Sequence, residues 1–170
     1  MIRRATLQDV DNIMDIVHSA QLALRELGID QWQDGYPTAE SIEEDIAQGV
    51  GYVATNNNAT IGYAAIVLTG EQAYQQIADS WLYGNDYVVV HRLCTAQSHR
   101  RQGIALDLMM YAAELSRKRG FNAFRIDTHR GNIRMLSMLE KLEFRRVGII
   151  HYDSGERVAY ELDLNKTNKL

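Results

Sequence analysis

The chain has 170 residues, 46% of them hydrophobic and 24% charged, with a formal net charge of −4 at neutral pH. That length suits one ordinary domain with a sizeable core. Its single cysteine, Cys94, excludes an internal disulfide framework, and the acidic balance leaves no general footprint for nucleic acid. The start M-I-R-R-A-T lacks the apolar region of a signal peptide, and the longest apolar run, residues 63–68, is far shorter than a membrane span. The expectation is therefore a cytoplasmic protein with neither nucleic-acid nor membrane partners.

In chain order, residues 2–5 read as a short strand, and Thr6 with Asp9 fits the Ser/Thr-x-x-Asp/Glu start of a helix. Val10, Ile13, Met14 and Val17 mark one helical face, which runs through a kink or short break to Leu24 and Leu27 before Gly28 ends it. Residues 29–37 hold Trp32, Tyr36 and the only proline without periodicity, and read as a loop. Thr38 caps a second helix, with Glu40, Glu43, Glu44 and Asp45 toward its positive end, Ile42 and Ile46 inward, and Gly49 at its close. Residues 52–55 and 60–68 then predict a hairpin turned by Asn56-Asn57-Asn58. Residues 71–86, with Tyr74, Ile77 and Trp81 at helix-compatible spacing, predict a short helix or ordered insert.

The stretch that organises the chain is residues 91–106, H-R-L-C-T-A-Q-S-H-R-R-Q-G-I-A-L. Val88, Val89 and Val90 lead into it as a buried strand, which Gln97-Ser98 breaks. From Gly103 the period becomes helical through Ala105, Leu108, Met109, Ala112, Leu115 and Ser116, and Arg117-Lys118-Arg119 before Gly120 closes that helix. A helix that begins directly after a turn presents unpaired N–H groups and the positive end of its dipole to an anion. Arg100 and Arg101 add formal charge, Gly103 admits close backbone approach, and the fitting ligand is a phosphate or pyrophosphate. Neither the nucleotide-triphosphate loop pattern nor the dinucleotide glycine pattern is present.

Phe124 and Ile126 alternate with Arg125 and Asp127 as a strand parallel to the one before the helix. Asn132 caps a further helix whose inner stripe is Met135, Leu136, Leu139 and Leu142. Residues 146–152 and 157–162 form a hairpin around Asp153-Ser154-Gly155, and residues 165–170 read as a fraying tail after a single domain of residues 1–164. The fold class expected is α/β of the α+β type: a central mixed, largely antiparallel sheet flanked by helices.

Arg100 to Ala105, R-R-Q-G-I-A, resembles the R/Q-x-x-G-x-G/A segment of the GCN5-related N-acetyltransferases, the GNAT superfamily, and residues 132–144, N-I-R-M-L-S-M-L-E-K-L-E-F, resemble that family's N-x-x-A-x-x-L-Y-E-K-x-G-F segment. The close match covers residues 87–162. The resemblance implies acetyl-CoA as co-substrate, with its pyrophosphate on Arg100, Arg101, Gln102, Gly103, Ile104 and Ala105, its pantetheine arm along Leu93, Cys94 and Thr95, and Asn132 alongside. It implies an amine acceptor on a small molecule or peptide and admits a homodimer; no metal is expected, since His91, His99 and His129 lack any compact ligand spacing. The alternative is a CoA-binding sensor or interaction module that kept the loop without turnover.

Direct attack needs a base for the amine and a proton for the departing thiolate. His91 is the leading base: unbroken alternation puts it on one face with Leu93 and Thr95, and an ordinary imidazole pKa of about 6.5 suits neutral pH. His129, two residues beyond Asp127, or a water chain are the rivals. A ping-pong reaction through Cys94 with His91 as its base is disfavoured, because residues three apart on a regular strand oppose one another unless a bulge intervenes. The family position that carries the tyrosine acid is Leu139 here, with Tyr152 or another tyrosine as substitute. Trp32, Tyr36 and Trp81, with Tyr74, are the residues expected to shape the acceptor pocket.

Overall fold

The computed structural model describes residues 1–166 and 170. Alternating apolar segments assemble one seven-stranded sheet from β1 Ile2–Arg4, β2 Gly51–Asn56, β3 Ala59–Val67, β4 Tyr87–Thr95, β5 Ala123–Thr128, β6 Arg145–Tyr152 and β7 Gly155–Asp163, in the order β1-β2-β3-β4-β5-β7-β6. Only β4 and β5 pair in parallel; every other neighbouring pair is antiparallel. Four α-helices flank the sheet: α1 Val10–Glu26, α2 Ala39–Ala47, α3 Ile104–Lys118 and α4 Ile133–Lys141. No helix among the described residues is long and apolar enough to cross a membrane.

The two faces are dressed differently. Val88 and Val90 of β4 share a core with Leu108 and Met109 of α3, Phe124 of β5 and Leu139 of α4. Val53 and Tyr63 instead meet Ile13 and Val17 of α1 and Ile42 of α2, while Tyr87, Val89 and Ile150 pack under Tyr74 of the insert between β3 and β4. That insert is the 3-10 segment Gln72–Ser80, broken at Ile77 (φ −125, ψ 35). Turns close as their residues dictate. Asn57 and Asn58, at φ 47 and 65, join β2 to β3 as a two-residue turn of left-handed residues, which asparagine tolerates.

Four expectations change. α1 runs unbroken to Glu26, since it contains neither glycine nor proline. Asp45 does not lie toward the positive end of α2: it falls in the last turn of Ala39–Ala47, three residues after Ile42, on the inner side and only 4% exposed. At the C-terminus residues 167–169 lie outside the described residues, yet Leu170 is no fraying end; it is 9% exposed in the core, and its carbonyl accepts from Arg117 Nη1 at 2.7 Å.

The fourth change bears on chemistry. On β3, Tyr63 pairs with Cys94 and Ala65 with His91, so Arg92 and Leu93 together oppose the single residue Ala64. Arg92 is at φ 54. The strand therefore carries a bulge, and the alternation that placed His91 with Leu93 and Thr95 is broken. Leu93 packs toward α3, and Thr95 pairs with Gly62, whose added Cβ would strike Ile104 and Leu108 of that same helix. His91 stays on the opposite face, beside Glu71 of the insert.

Candidate active site

β4 and β5 are hydrogen-bonded only where Tyr87, Val88 and Val89 meet Ala123, Phe124 and Arg125. Beyond Val89 they part. The β5-facing N–H and C=O groups on the second half of β4 are thus left without a strand partner, at the mouth of a cleft of about 1480 Å³. Leu93, Cys94, Thr95, Arg100, Arg101, Ala105 and Asn132 all line it.

The α3 end of the cleft is shaped for an anion. Thr38 and Asn132 accept from main-chain N–H groups to cap α2 and α4, but α3 begins at Gly103 with no side-chain cap. Its first intrahelical bond is Asp107 N–H to the Gly103 carbonyl, so the N–H groups of the preceding turn have no helical acceptor. Gly103 sits at φ 84 with nothing within 4 Å of where a Cβ would stand: glycine serves both the left-handed turn and an open approach. The residues present fit a pyrophosphate, through helix N–H groups with Arg100 and Arg101 beside them. Gln102 and Ile104 take other roles. Gln102 turns back to donate to the Ser98 carbonyl at 3.3 Å, and the Ile104 side chain packs toward Gly62, so Ile104 offers a ligand only its main chain.

At the other end the cleft is made of side chains. His91 Nε2 lies 3.0 Å from Glu71 Oε2, both side chains about three-quarters buried or more. Glu71 Oε1 accepts from the Ala73 N–H at 3.0 Å, which fixes the carboxylate at the head of the insert. The His91 ring chiefly holds the Glu71 carboxyl below its ordinary range; burial opposes this, and the Ala73 N–H and Arg92 reinforce it. No sequence pattern flags Glu71, which follows a glycine after the end of β3.

Farther along, Asp127 Oδ2 accepts from Tyr74 Oη at 2.9 Å and from Tyr152 Oη at 3.1 Å. Burial first, then the Asp127 charge, raises both phenols above their ordinary value. Tyr152 lines the cleft, but a phenol that is raised and already donating to a carboxylate is poorly set to protonate a thiolate. Leu139, at the family's tyrosine position, is fully buried in the core.

The remaining candidates separate. Trp32 and Tyr36 line the cleft. Trp81 does not: its indole N–H donates to the Tyr74 carbonyl at 3.0 Å and its ring lies 4.2 Å from the Arg125 guanidinium, so it secures the insert on the far side. His129 also turns away, its Nδ1 accepting from the Gly131 N–H at 3.0 Å and its Nε2 3.5 Å from Asp30. The bulge brings Cys94 to the same face as His91, yet burial pushes the Cys94 thiol up to about 12 and the imidazole is engaged with Glu71, so Cys94 has no activating partner. Arg92 and Asp45, neither of them among the expected site residues, form an ion pair at the cleft wall. An acid on the inner stripe of α2 was the available signal.

Similarity to known proteins agrees with this geometry. The acetyltransferase (GNAT) family model matches residues 18–144. A GNAT-family acetyltransferase from Streptococcus agalactiae is 32% identical with a TM-score of 0.84, covering 96% of this chain and 94% of that one. The PaiA N-acetyltransferase from Thermoplasma acidophilum, solved in complex with coenzyme A, shares the fold at 16% identity and a TM-score of 0.71, covering 96% and 98%. GCN5-related N-acetyltransferase 6, chloroplastic, from Arabidopsis thaliana is 31% identical over 78 residues, which is 46% of this chain but only 27% of the plant protein's length. With its opened β4–β5 pair, uncapped α3 and matching sequence, the chain belongs to the GNAT acetyltransferase family.

Proposed function

We propose that residues 1–164 act as an acetyl-CoA-dependent N-acetyltransferase that acetylates a primary amine of a small molecule or peptide by direct attack on the thioester. The observation that carries this is continuity: one cleft runs from the uncapped start of α3, past the unpaired edge of β4, to the His91–Glu71 pair. The coenzyme A bound by the PaiA relative suits the first two features. The pyrophosphate lies on the α3 turn, the pantetheine arm continues β4 opposite the departing β5, and a β4 N–H receives the oxyanion. His91, oriented by Glu71, takes a proton from the amine directly or through a water. The C–N bond forms, the C–S bond breaks, and the thiolate leaves with a proton from solvent; with a thiol pKa of about 8.5 it departs without a dedicated phenol. The single unpaired cysteine is in keeping with a cytoplasmic setting.

Thiol release from acetyl-CoA with a panel of small and peptide amines tests the reading. Sustained release that depends on one class of amine is expected. Tight CoA binding with no release for any amine would overturn it in favour of a CoA-binding sensor.

A further inference from the structure

Arg92 is the one non-glycine residue of the β4 bulge in left-handed geometry, at φ 54. Such a conformation is unfavourable for any residue with a Cβ, and neither glycine nor asparagine stands here to relieve it. What compensates is on the page. Arg92 Nε donates to Asp45 Oδ2 at 2.7 Å and Nη2 pairs with Asp45 Oδ1, a two-pronged contact with a carboxylate that is 4% exposed. Tyr63 Oη donates to the same Asp45 Oδ2 at 2.6 Å, and Arg92 Nη1 reaches Tyr36 Oη. Arg92 is thus tied directly to α2 and to the loop before it, and through Asp45 to Tyr63 of β3.

We infer that the Arg92–Asp45 ion pair is the latch that holds the β4 bulge, and so aims the main-chain N–H groups of the following residues at the thioester; Arg92 is a positioning residue. Without the latch, residue 92 relaxes toward extended geometry and β4 recovers simple alternation. A shift of one residue exchanges the faces of everything after it. Leu93 would leave the α3 side and the N–H groups at 93 and 94 would reverse. The inference rests on the acetyl-transfer reading for its kinetic consequence, but not for its structural one.

The test compares Asp45→Asn, Asp45→Asn with Arg92→Ala, and Asp45→Asn with Arg92→Gly. Asparagine keeps an acceptor for Tyr63 and leaves no buried charge unpaired, so both double variants are expected to fold even if the single one does not. Glycine accepts φ 54 freely, whereas alanine does not. The readouts are kcat and acceptor KM, acetyl-CoA Kd, and the backbone chemical shifts of Leu93 and Cys94. Asp45→Asn and the alanine double variant should lose about tenfold in kcat with shifted Leu93 and Cys94 resonances, while the glycine double variant recovers to within about threefold of wild type with native shifts. Acetyl-CoA should still bind through the untouched α3 turn, with a Kd raised by up to about tenfold in the two variants that lose the bulge, where the N–H groups along the pantetheine arm reverse, and returned to within about threefold of wild type in the glycine double variant.

Two results overturn the latch. Native rate and native shifts in Asp45→Asn would mean the bulge holds itself. A glycine double variant no faster than the alanine one, with raised acceptor KM and native shifts in both, would make the guanidinium an acceptor contact instead. If the wild type acetylates no amine, the functional reading fails, and the shifts alone still decide the latch.

Discussion

At the α3 end of the cleft the open polar groups are main-chain N–H groups of one short turn, with a glycine at φ 84 and no capping side chain. At the other end they are side chains brought together from far apart: Glu71 with His91, Asp45 with Arg92, and Tyr74 with Asp127. The first end is a property of local backbone geometry, and any sequence that ends a strand and starts a helix in this way supplies it. The second exists only once the insert, α2 and β5 are packed. On the function proposed above, binding of the co-substrate and choice of acceptor would be carried by different kinds of structure, and they should respond to different substitutions.

The largest effect expected from breaking one end alone comes from Gly103→Glu. It adds a charged side chain at a left-handed position facing the anion, and should weaken acetyl-CoA binding by at least about a hundredfold by calorimetry with the fold retained. Undiminished affinity in a folded variant would remove the α3 turn from the account. Leu139→Ala, at a fully buried core position outside the cleft lining, should cost about 2 to 5 kcal/mol in denaturant melts and leave the affinity of the folded fraction unchanged. Tighter acetyl-CoA binding without lost stability would instead put Leu139 on the thioester channel.

A side-chain-end substitution should do the reverse. Glu71→Gln keeps the shape but removes the partner of His91, and about a tenfold fall in turnover at constant acetyl-CoA affinity is expected. Because the Glu71 carboxyl is held below its ordinary value, its contribution to stability is present above the unfolded carboxyl pKa of about 4.3 and lost as pH falls through the folded value. Glu71→Gln should accordingly flatten the acid side of the stability profile, and an unchanged profile would mean the ion pair contributes nothing to folding. The smallest effect is assigned to Tyr152→Phe, within about threefold of wild-type turnover, since its phenol serves Asp127. A hundredfold loss confined to the high-pH limb would identify Tyr152 as the acid after all.

The same contrast explains how far the sequence could be read. The seven strands, the four helices and the Asn57–Asn58 turn follow from periodicity and turn chemistry, which are local. So does the α3 turn. The bulge at Arg92 could not be foreseen, because nothing in V-V-V-H-R-L-C-T announces an extra residue; the signal lies in β3, where Ala64 faces two partners. For that reason alternation misplaced His91 relative to Leu93 and Thr95. Glu71 carries no periodic mark, and Trp81 looked like a pocket aromatic only because its hold on Arg125 spans the fold. Asp45 alone gave a legible hint, an acid on the stripe of Ile42 and Ile46.

The pH dependence of kcat/KM for His91→Gln, set beside wild type with the best amine found, tests most directly the claim that this cleft transfers acetyl groups with His91 as base. The account predicts that the variant folds, binds acetyl-CoA as wild type does, and loses about a hundredfold or more in rate near neutral pH, together with the limb that rises from acid pH. A wild-type profile at near wild-type rate would contradict it, and would move proton removal from the His91–Glu71 pair to water or to another group of the cleft.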